Sequence, residues 1–99
     1  VRGLRLSFRG DDRAAAKAFD RALAAAPGST SALLNRALVR QRLGDLDGAR
    51  ADFDRAIRSS PGDARGYYFR SLLLRSSGDG DGADKDLQKA IDLMGDGAQ

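Results

Sequence analysis

Aspartate is the residue type with the greatest potential for site chemistry, because the 99-residue chain has no cysteine and no histidine. The run Asp79-Gly80-Asp81-Gly82-Ala83-Asp84 alternates carboxylates with small residues, as calcium-binding loops do. However, Ala90 stands where such a loop needs a bidentate glutamate, and Asp84 occupies the sixth position, which requires glycine. The run Asp45-Leu46-Asp47-Gly48 has the same register earlier in the chain, so we interpret both runs as turns of a repeat.

Catalytic chemistry has no candidate group of residues in this sequence. Without cysteine or histidine, thiolate chemistry, disulfides, histidine general bases and the usual zinc sites are excluded. The sequence also contains no phosphate-binding loop and no pairing of a nucleophile with a base. We therefore expect a protein that is not an enzyme, with no cofactor, no metal and no small-molecule substrate.

Three consecutive aromatic residues, Tyr67, Tyr68 and Phe69, lie beside arginines and could stack on nucleic-acid bases. Aromatic side chains in such a segment more often divide between a core and a groove. We therefore regard nucleic acid as an unfavoured partner. RNA binding is kept as the weakest of the three functions that the sequence suggests.

A repeat of 34 residues organises the elements that would position these side chains. The segment 44–61 reappears upstream as 10–27 and downstream as 78–95. The matching columns are Gly10, Gly44, Gly78; Ala15, Ala49, Ala83; Phe19, Phe53, Leu87; and Ala22, Ala56, Ala90. A period of this length indicates stacked units that bury a continuous core only together.

The pattern of apolar residues and turn residues predicts an all-α fold of six helices in three hairpins. The expected helices are 1–9, 12–26, about 30–43, 46–59, 64–77 and 81–94, separated at Gly10-Asp11-Asp12 and at the Pro-Gly and Gly-Asp turns. We expect Ser29 or Thr30 to cap the third helix, and Asp45 or Asp47 the fourth. Short loops make neighbouring helices antiparallel. We also expect Phe53 to be buried between the second and third hairpins, against Ala49 and Ala56.

The repeat resembles the tetratricopeptide repeat family. The residues that carry the resemblance are Leu33, Ala37, Gly44, Asp45, Ala49, Phe53, Ala56 and Pro61. It implies an α-solenoid with a right-handed superhelix, formed by one array over residues 1–99. A partial repeat at 1–29 would precede full repeats at 30–63 and 64–97.

The resemblance also implies a protein or peptide partner, bound in a concave groove lined by the first helix of each hairpin. The expected groove residues are Leu34, Asn35, Leu38, Arg42, Arg65, Tyr68, Phe69, Leu72 and Arg75, with Leu4, Phe8 and Ser31 further along it. Apolar side chains flanked by arginine suggest an acidic ligand with large apolar anchors. Of the carboxylate clamp found in one branch of the family, Asn35 and Arg65 match, whereas Leu4 and Phe69 do not, so we do not expect that clamp.

Charge is distributed unevenly between the helices. The first helices carry nine arginines and no acid, whereas nearly every aspartate lies on the second helices or in turns. We therefore expect a basic inner layer over an acidic back. We also expect Arg36 and Arg70 to form structural pairs with Asp52 and Asp86.

The last helix has apolar residues that no predicted helix covers. We expect Leu87, Ile91 and Met94 to be covered by a neighbouring chain or by residues beyond this sequence. A structural module that associates with copies of itself is therefore the second alternative. No apolar run is long enough for a membrane span and no signal peptide is visible, so we expect a cytoplasmic protein without membrane insertion.

Overall fold

The fold is known from a computed structural model that describes residues 2–98, with the side chains of residues 11–95. These residues form five helices: α1 (Arg2–Ala25), α2 (Thr30–Arg42), α3 (Leu46–Ser59), α4 (Ala64–Ser76) and α5 (Gly80–Ala98). Each helix packs on the next one in the chain, and α2 also contacts α4. The helices α2 and α4 therefore form one layer of the array. The all-helical repeat architecture expected from the sequence is confirmed.

The first predicted turn is wrong, because α1 continues through Gly10-Asp11-Asp12 and replaces two predicted helices. In the later turns, Asp45 accepts a hydrogen bond from the N–H of Gly48, and Asp79 does the same for Gly82. A Cβ atom at either glycine would overlap the capping carboxylate. The first repeat has Ala14 at this position, and α1 continues through it without a break.

The remaining turns use the predicted residues. Gly44 and Gly78 have φ angles of +89° and +92°, a conformation that favours glycine, and they follow the ends of α2 and α4. Ser29 caps α2 and Asp45 caps α3, each through a side-chain oxygen that accepts from a backbone N–H. Asp63 caps α4 in the same way. Of the candidates expected from the sequence, Ser29 and not Thr30 caps α2, and Asp45 and not Asp47 caps α3.

Phe53 lies at the centre of the core. It is fully buried, together with Ala49 and Ala56 on the same helix, and its ring stacks with that of Phe69 on α4 at a centroid distance of 6.3 Å. The rest of the buried cluster comes from α1, α2 and α4: Leu23, Ala32, Leu33, Leu34, Ala37 and Leu73. The predicted burial of Phe53 between the second and third hairpins is confirmed.

The outer face of α5 repeats a face that is packed one hairpin earlier. On α3, Ile57 fits against α4 at Gly66, where an added Cβ would meet Ile57 Cγ1 at 2.8 Å. Its counterpart Ile91 and the nearby Met94 are each about half exposed, whereas Leu87 is partly buried. Their coverage by a neighbouring chain or by further residues stays a prediction.

Replacing Phe53 with alanine tests the central packing contact. Phe53→Ala should lower the free energy of unfolding by about 3–5 kcal/mol, because it removes buried apolar surface and leaves a cavity. Leu72→Ala is the matched control, since Leu72 is about half exposed and should cost much less. The measurement is thermal or urea unfolding of both variants. Equal stability of Phe53→Ala and the parent would contradict this packing.

Candidate concave interaction groove

An open cleft lies on the layer formed by α2 and α4. Its volume is about 390 Å³, and its lining comes from both helices: Leu38, Gln41, Arg42, Phe69 and Leu72. A second cleft of about 200 Å³ adjoins it and shares Leu38 and Arg42. This second cleft extends towards α1 through Ala15 and Phe19. The two clefts together form a groove across α1, α2 and α4, which we call the concave groove.

The structure brings together four of the nine predicted groove residues in the larger cleft, namely Leu38, Arg42, Phe69 and Leu72. Asn35 lines the adjoining cleft. Arg65 and Tyr68 instead line a separate cleft of about 180 Å³ with Ala64 and Met94, near the end of α5. Arg75 is exposed at the end of α4. Leu4 and Phe8 lie outside the described side chains.

Leu34 has to be corrected, because it belongs to the core. Only 2% of its surface is exposed, so it supports the groove from beneath and cannot contact a ligand directly. Gln41 was missed by sequence reasoning, although it lies three residues after Leu38 and therefore on the same side of α2. That spacing was the available signal, whereas the contribution of Phe19 and Val39 to the groove depends on how α1 packs against α2.

The groove arginines are already paired with aspartate. Arg42 donates through Nε and Nη2 to the buried carboxylate of Asp12, at 2.9 Å for the shortest contact. Arg75 donates to Asp84 at 2.9 Å, and both of these side chains are largely exposed. The pair of Arg42 and Asp12 joins the end of α2 to α1, so it has a structural role in addition to lining the cleft.

Arg65 pairs with the residue that caps its own helix. It donates through Nε and Nη2 to both oxygens of Asp63. The hydrogen bond from Arg65 lowers the pKa of the Asp63 carboxyl below its ordinary value, and Asp63 in turn raises the pKa of Arg65. The ion pair therefore keeps Asp63 charged, which favours its role at the positive end of α4.

Two arginines at the same repeat position tie the hairpins together, and we call this set of contacts the arginine ladder. Arg36 donates to both oxygens of Asp52 on α3, at 2.9 and 2.7 Å, and to Asp20 on α1 at 2.8 Å. Hydrogen bonding to Asp52 outweighs burial and, with Asp20, raises the pKa of Arg36 above its ordinary value. Arg40 donates to the same carboxylate of Asp52 at 3.2 Å.

The ladder repeats one hairpin later. Arg70 donates to both oxygens of Asp86 on α5, at 2.6 and 2.8 Å, and to Asp54 on α3 at 2.9 Å. The hydrogen bonds to Asp86 make the largest contribution to raising the pKa of Arg70, and the bond to Asp54 raises it further. The guanidinium also lies 5.7 Å from the centre of the Tyr67 ring. The expected pairs of Arg36 with Asp52 and of Arg70 with Asp86 are therefore confirmed.

The expected basic inner layer over an acidic back has to be corrected as well. Each of the six arginines on α2 and α4 lies within 4.0 Å of a carboxylate oxygen. Pairing therefore compensates the positive charge of this layer, and it also occupies many of the aspartates on the second helices. The groove is less basic than the distribution of charges along the sequence indicated.

Two aspartates of the run at 79–84 have partners within the protein. Asp79 caps α5, and Asp84 accepts from Arg75, so these carboxylates do not converge on a common point. Among residues 2–98, no group of three potential ligands is placed to hold a metal ion. No helix in the same range is long and apolar enough to cross a membrane.

Comparison with known proteins identifies the family. A family model for the tetratricopeptide repeat matches residues 5–73, which is more than half of the chain. The chain belongs to the tetratricopeptide repeat family. Proteins of this family are interaction scaffolds, and that general role is the one this chain has. No curated protein matches the chain.

Solved structures of MamA share this repeat fold. One crystal structure of MamA has 28% sequence identity and a TM-score of 0.84, over 89% of this chain and 52% of that chain. Another has 29% identity and a TM-score of 0.79, over 88% and 48%. A fragment, MamA 41-end from Desulfovibrio magneticus RS-1, has 26% identity and a TM-score of 0.73, over 92% and 51%. This chain thus spans about half the length of each of these MamA chains.

Removing the carboxylate of Asp52 tests the arginine ladder. Asp52 is 1% exposed and accepts from two arginines, so Asp52→Ala leaves Arg36 partly buried without its main partner. We expect a loss of about 3–5 kcal/mol in the free energy of unfolding. Asp84→Ala breaks an exposed pair and should cost less than about 1 kcal/mol. Urea unfolding of both variants provides the comparison, and equal effects would refute the structural role of Asp52.

Proposed function

We propose that this chain binds a peptide or protein segment in the concave groove, by inserting apolar anchors between α2 and α4. The observation that carries the proposal is the larger cleft, where Leu38, Phe69 and Leu72 remain partly exposed. Leu38 and Phe69 also pack against the buried cluster, so they are held in place before a ligand arrives. A preformed apolar surface binds tightly because little conformational freedom is lost.

We further propose that acidic residues flank the anchors in the ligand. Arg42 uses Nε and Nη2 for Asp12, and Arg75 uses Nη2 for Asp84, whereas a guanidinium has five N–H donors. Donors therefore remain for a ligand carboxylate, although the existing pairs reduce its attraction. Such contacts would set orientation and association rate, and the apolar anchors would supply most of the affinity. Asn35, exposed in the adjoining cleft, could bond a ligand amide.

The remaining features of the proposal follow from the family and the sequence. We propose a non-catalytic module with one array over residues 1–99, made of the partial repeat 1–29 and the repeats 30–63 and 64–97. We propose a cytoplasmic location, which fractionation of cells that express the protein would test. This sequence can be one part of a longer protein. In that case the array would be one of several regions that contact the partner.

Self-association is the second candidate function, and the exposure of Ile91 and Met94 favours it. These side chains extend the apolar surface beside the small cleft lined by Tyr68 and Met94. A second copy of the chain that covered them would make the mass concentration-dependent in light scattering. A constant monomer mass over a hundredfold range of concentration would exclude this candidate and leave the peptide-binding proposal in place.

A substitution in the groove with a matched control tests peptide binding. A peptide array screened with the protein would supply the best-binding segment, and Leu72→Asp should weaken its binding by roughly 10- to 100-fold through loss of one apolar contact. Leu46→Asp is the control, because Leu46 is 43% exposed and Leu72 is 45% exposed, but Leu46 lies at the start of α3 outside the cleft.

Titration by fluorescence anisotropy measures the affinity of each variant. We expect Leu46→Asp to bind within twofold of the parent, and Arg75→Ala to weaken binding mainly at low salt. Affinities that are the same for Leu72→Asp and Leu46→Asp would place the binding site elsewhere on the molecule.

A further inference from the structure

Because of the ion pairs, the face of the molecule that carries unpaired positive charge differs from the one expected from the sequence. The arginines of α2 and α4 all have carboxylate partners, as described above. Eight exposed cations on the other helices have no carboxylate oxygen within 4.0 Å among the described side chains: Arg13, Lys17, Arg21, Arg50, Arg55, Arg58, Lys85 and Lys89. Most of the exposed positive charge that has no carboxylate partner therefore lies on α1, α3 and α5, the helices that were expected to form an acidic back.

Five of these eight cations, namely Lys17, Arg21, Arg55, Lys85 and Lys89, occupy two positions that recur between repeats, and we call these five the back stripe. Arg21, Arg55 and Lys89 are related by steps of 34 residues, and so, over two steps, are Lys17 and Lys85. Each cation lies two residues before or after the packed column of Phe19, Phe53 and Leu87. Two residues correspond to about 200° around a helix, so the back stripe points away from the packed side.

The back stripe offers charge without apolar anchors. The exposed apolar residues beside or between the cations are all alanines, namely Ala18, Ala22 and Ala51. The exposed large apolar residues of α3 and α5, namely Leu46, Ile91 and Met94, are four or seven positions from the packed column and so lie on its side. A ligand of the back stripe must therefore be bound almost entirely through charge.

We propose that the back stripe binds the phosphate backbone of a nucleic-acid duplex without reading its sequence. Release of condensed counterions from a duplex supplies nearly all of the free energy of non-specific binding, so apolar anchors are not required. Single-stranded nucleic acid is bound mainly where aromatic side chains stack on its bases, and the back stripe has none. An acidic protein segment bound to the back stripe would find no apolar surface for its anchor residues, and such anchors supply most of the affinity of a protein interface.

Acidic side chains limit the contact to the stripe itself. Asp47 and Asp81 are exposed four residues before Ala51 and Lys85, and Asp92 follows Lys89 by three residues. These carboxylates would repel phosphates placed beyond the rows of cations. Asp20 and Asp54 lie next to Arg21 and Arg55 in the sequence, but they bond to Arg36 and Arg70, which compensates their charge.

The test compares two variants that each remove two exposed arginines. Arg21→Gln/Arg55→Gln neutralises part of the back stripe, whereas Arg65→Gln/Arg75→Gln removes the same charge from α4. Circular dichroism confirms that both variants fold. Binding to a fluorescent DNA duplex of random sequence is then measured by anisotropy from about 50 to 200 mM salt, the range over which such contacts weaken steeply.

For five phosphate contacts, log K should fall with log salt concentration with a slope of about −4.5, and the stripe variant should have a slope of about −2.7. At low salt the stripe variant should bind at least about tenfold more weakly than the α4 variant. Equal affinities and slopes for the two variants would overturn the proposal. So would tighter binding to a single strand of the same length, to anionic phospholipid vesicles or to a poly-glutamate peptide.

Discussion

The arginine ladder is the interaction on which the rest of the structure depends. Arg36 and Arg70 each bind a carboxylate sixteen residues later in the same hairpin and another sixteen residues earlier, on the helix that precedes the hairpin. A partly buried guanidinium requires such partners, because an unpaired charge is costly to remove from water. One side chain per repeat therefore fixes both the pairing within a hairpin and its register on the previous hairpin. Phe53 and the alanines around it then fill the space between correctly placed helices.

This pairing determines what each surface can bind. Arginines of α2 and α4 are directed to aspartates of the second helices, so the concave groove presents apolar side chains with only partly available charge. The cations that point outward from α1, α3 and α5 have no such partners in the described part of the chain. The apolar groove suits a peptide with large anchors, whereas the back suits a ligand that carries regularly spaced negative charge. One set of ion pairs thus gives a small array two surfaces of different chemistry.

Much of the fold could be predicted from the sequence, because a repeat makes each observation count several times. The caps, the glycine turns and the burial of Phe53 all follow from local rules applied at equivalent positions. The continuity of α1 could not be read from the Gly10 column, because the same Gly-Asp pair lies in a turn in the two later repeats and within a helix in the first. The candidate groove was harder to predict from the sequence, because the direction of a long arginine side chain depends on its partners. Pairing of Arg42 with Asp12 joins residues 30 positions apart, a distance at which spacing alone gives no signal.

The most direct test of the ladder is a double-mutant cycle on Arg70 and Asp54, which connect one hairpin to the next at 2.9 Å. The free energies of unfolding of the parent, Arg70→Met, Asp54→Ala and the double variant give the coupling energy. Contacting residues in one network couple by about 0.5–3 kcal/mol, and partial exposure of Asp54 places this pair in the lower part of that range. A favourable coupling of that size is the predicted result. Effects that add to within about 0.3 kcal/mol would contradict the claim that the ladder joins the hairpins.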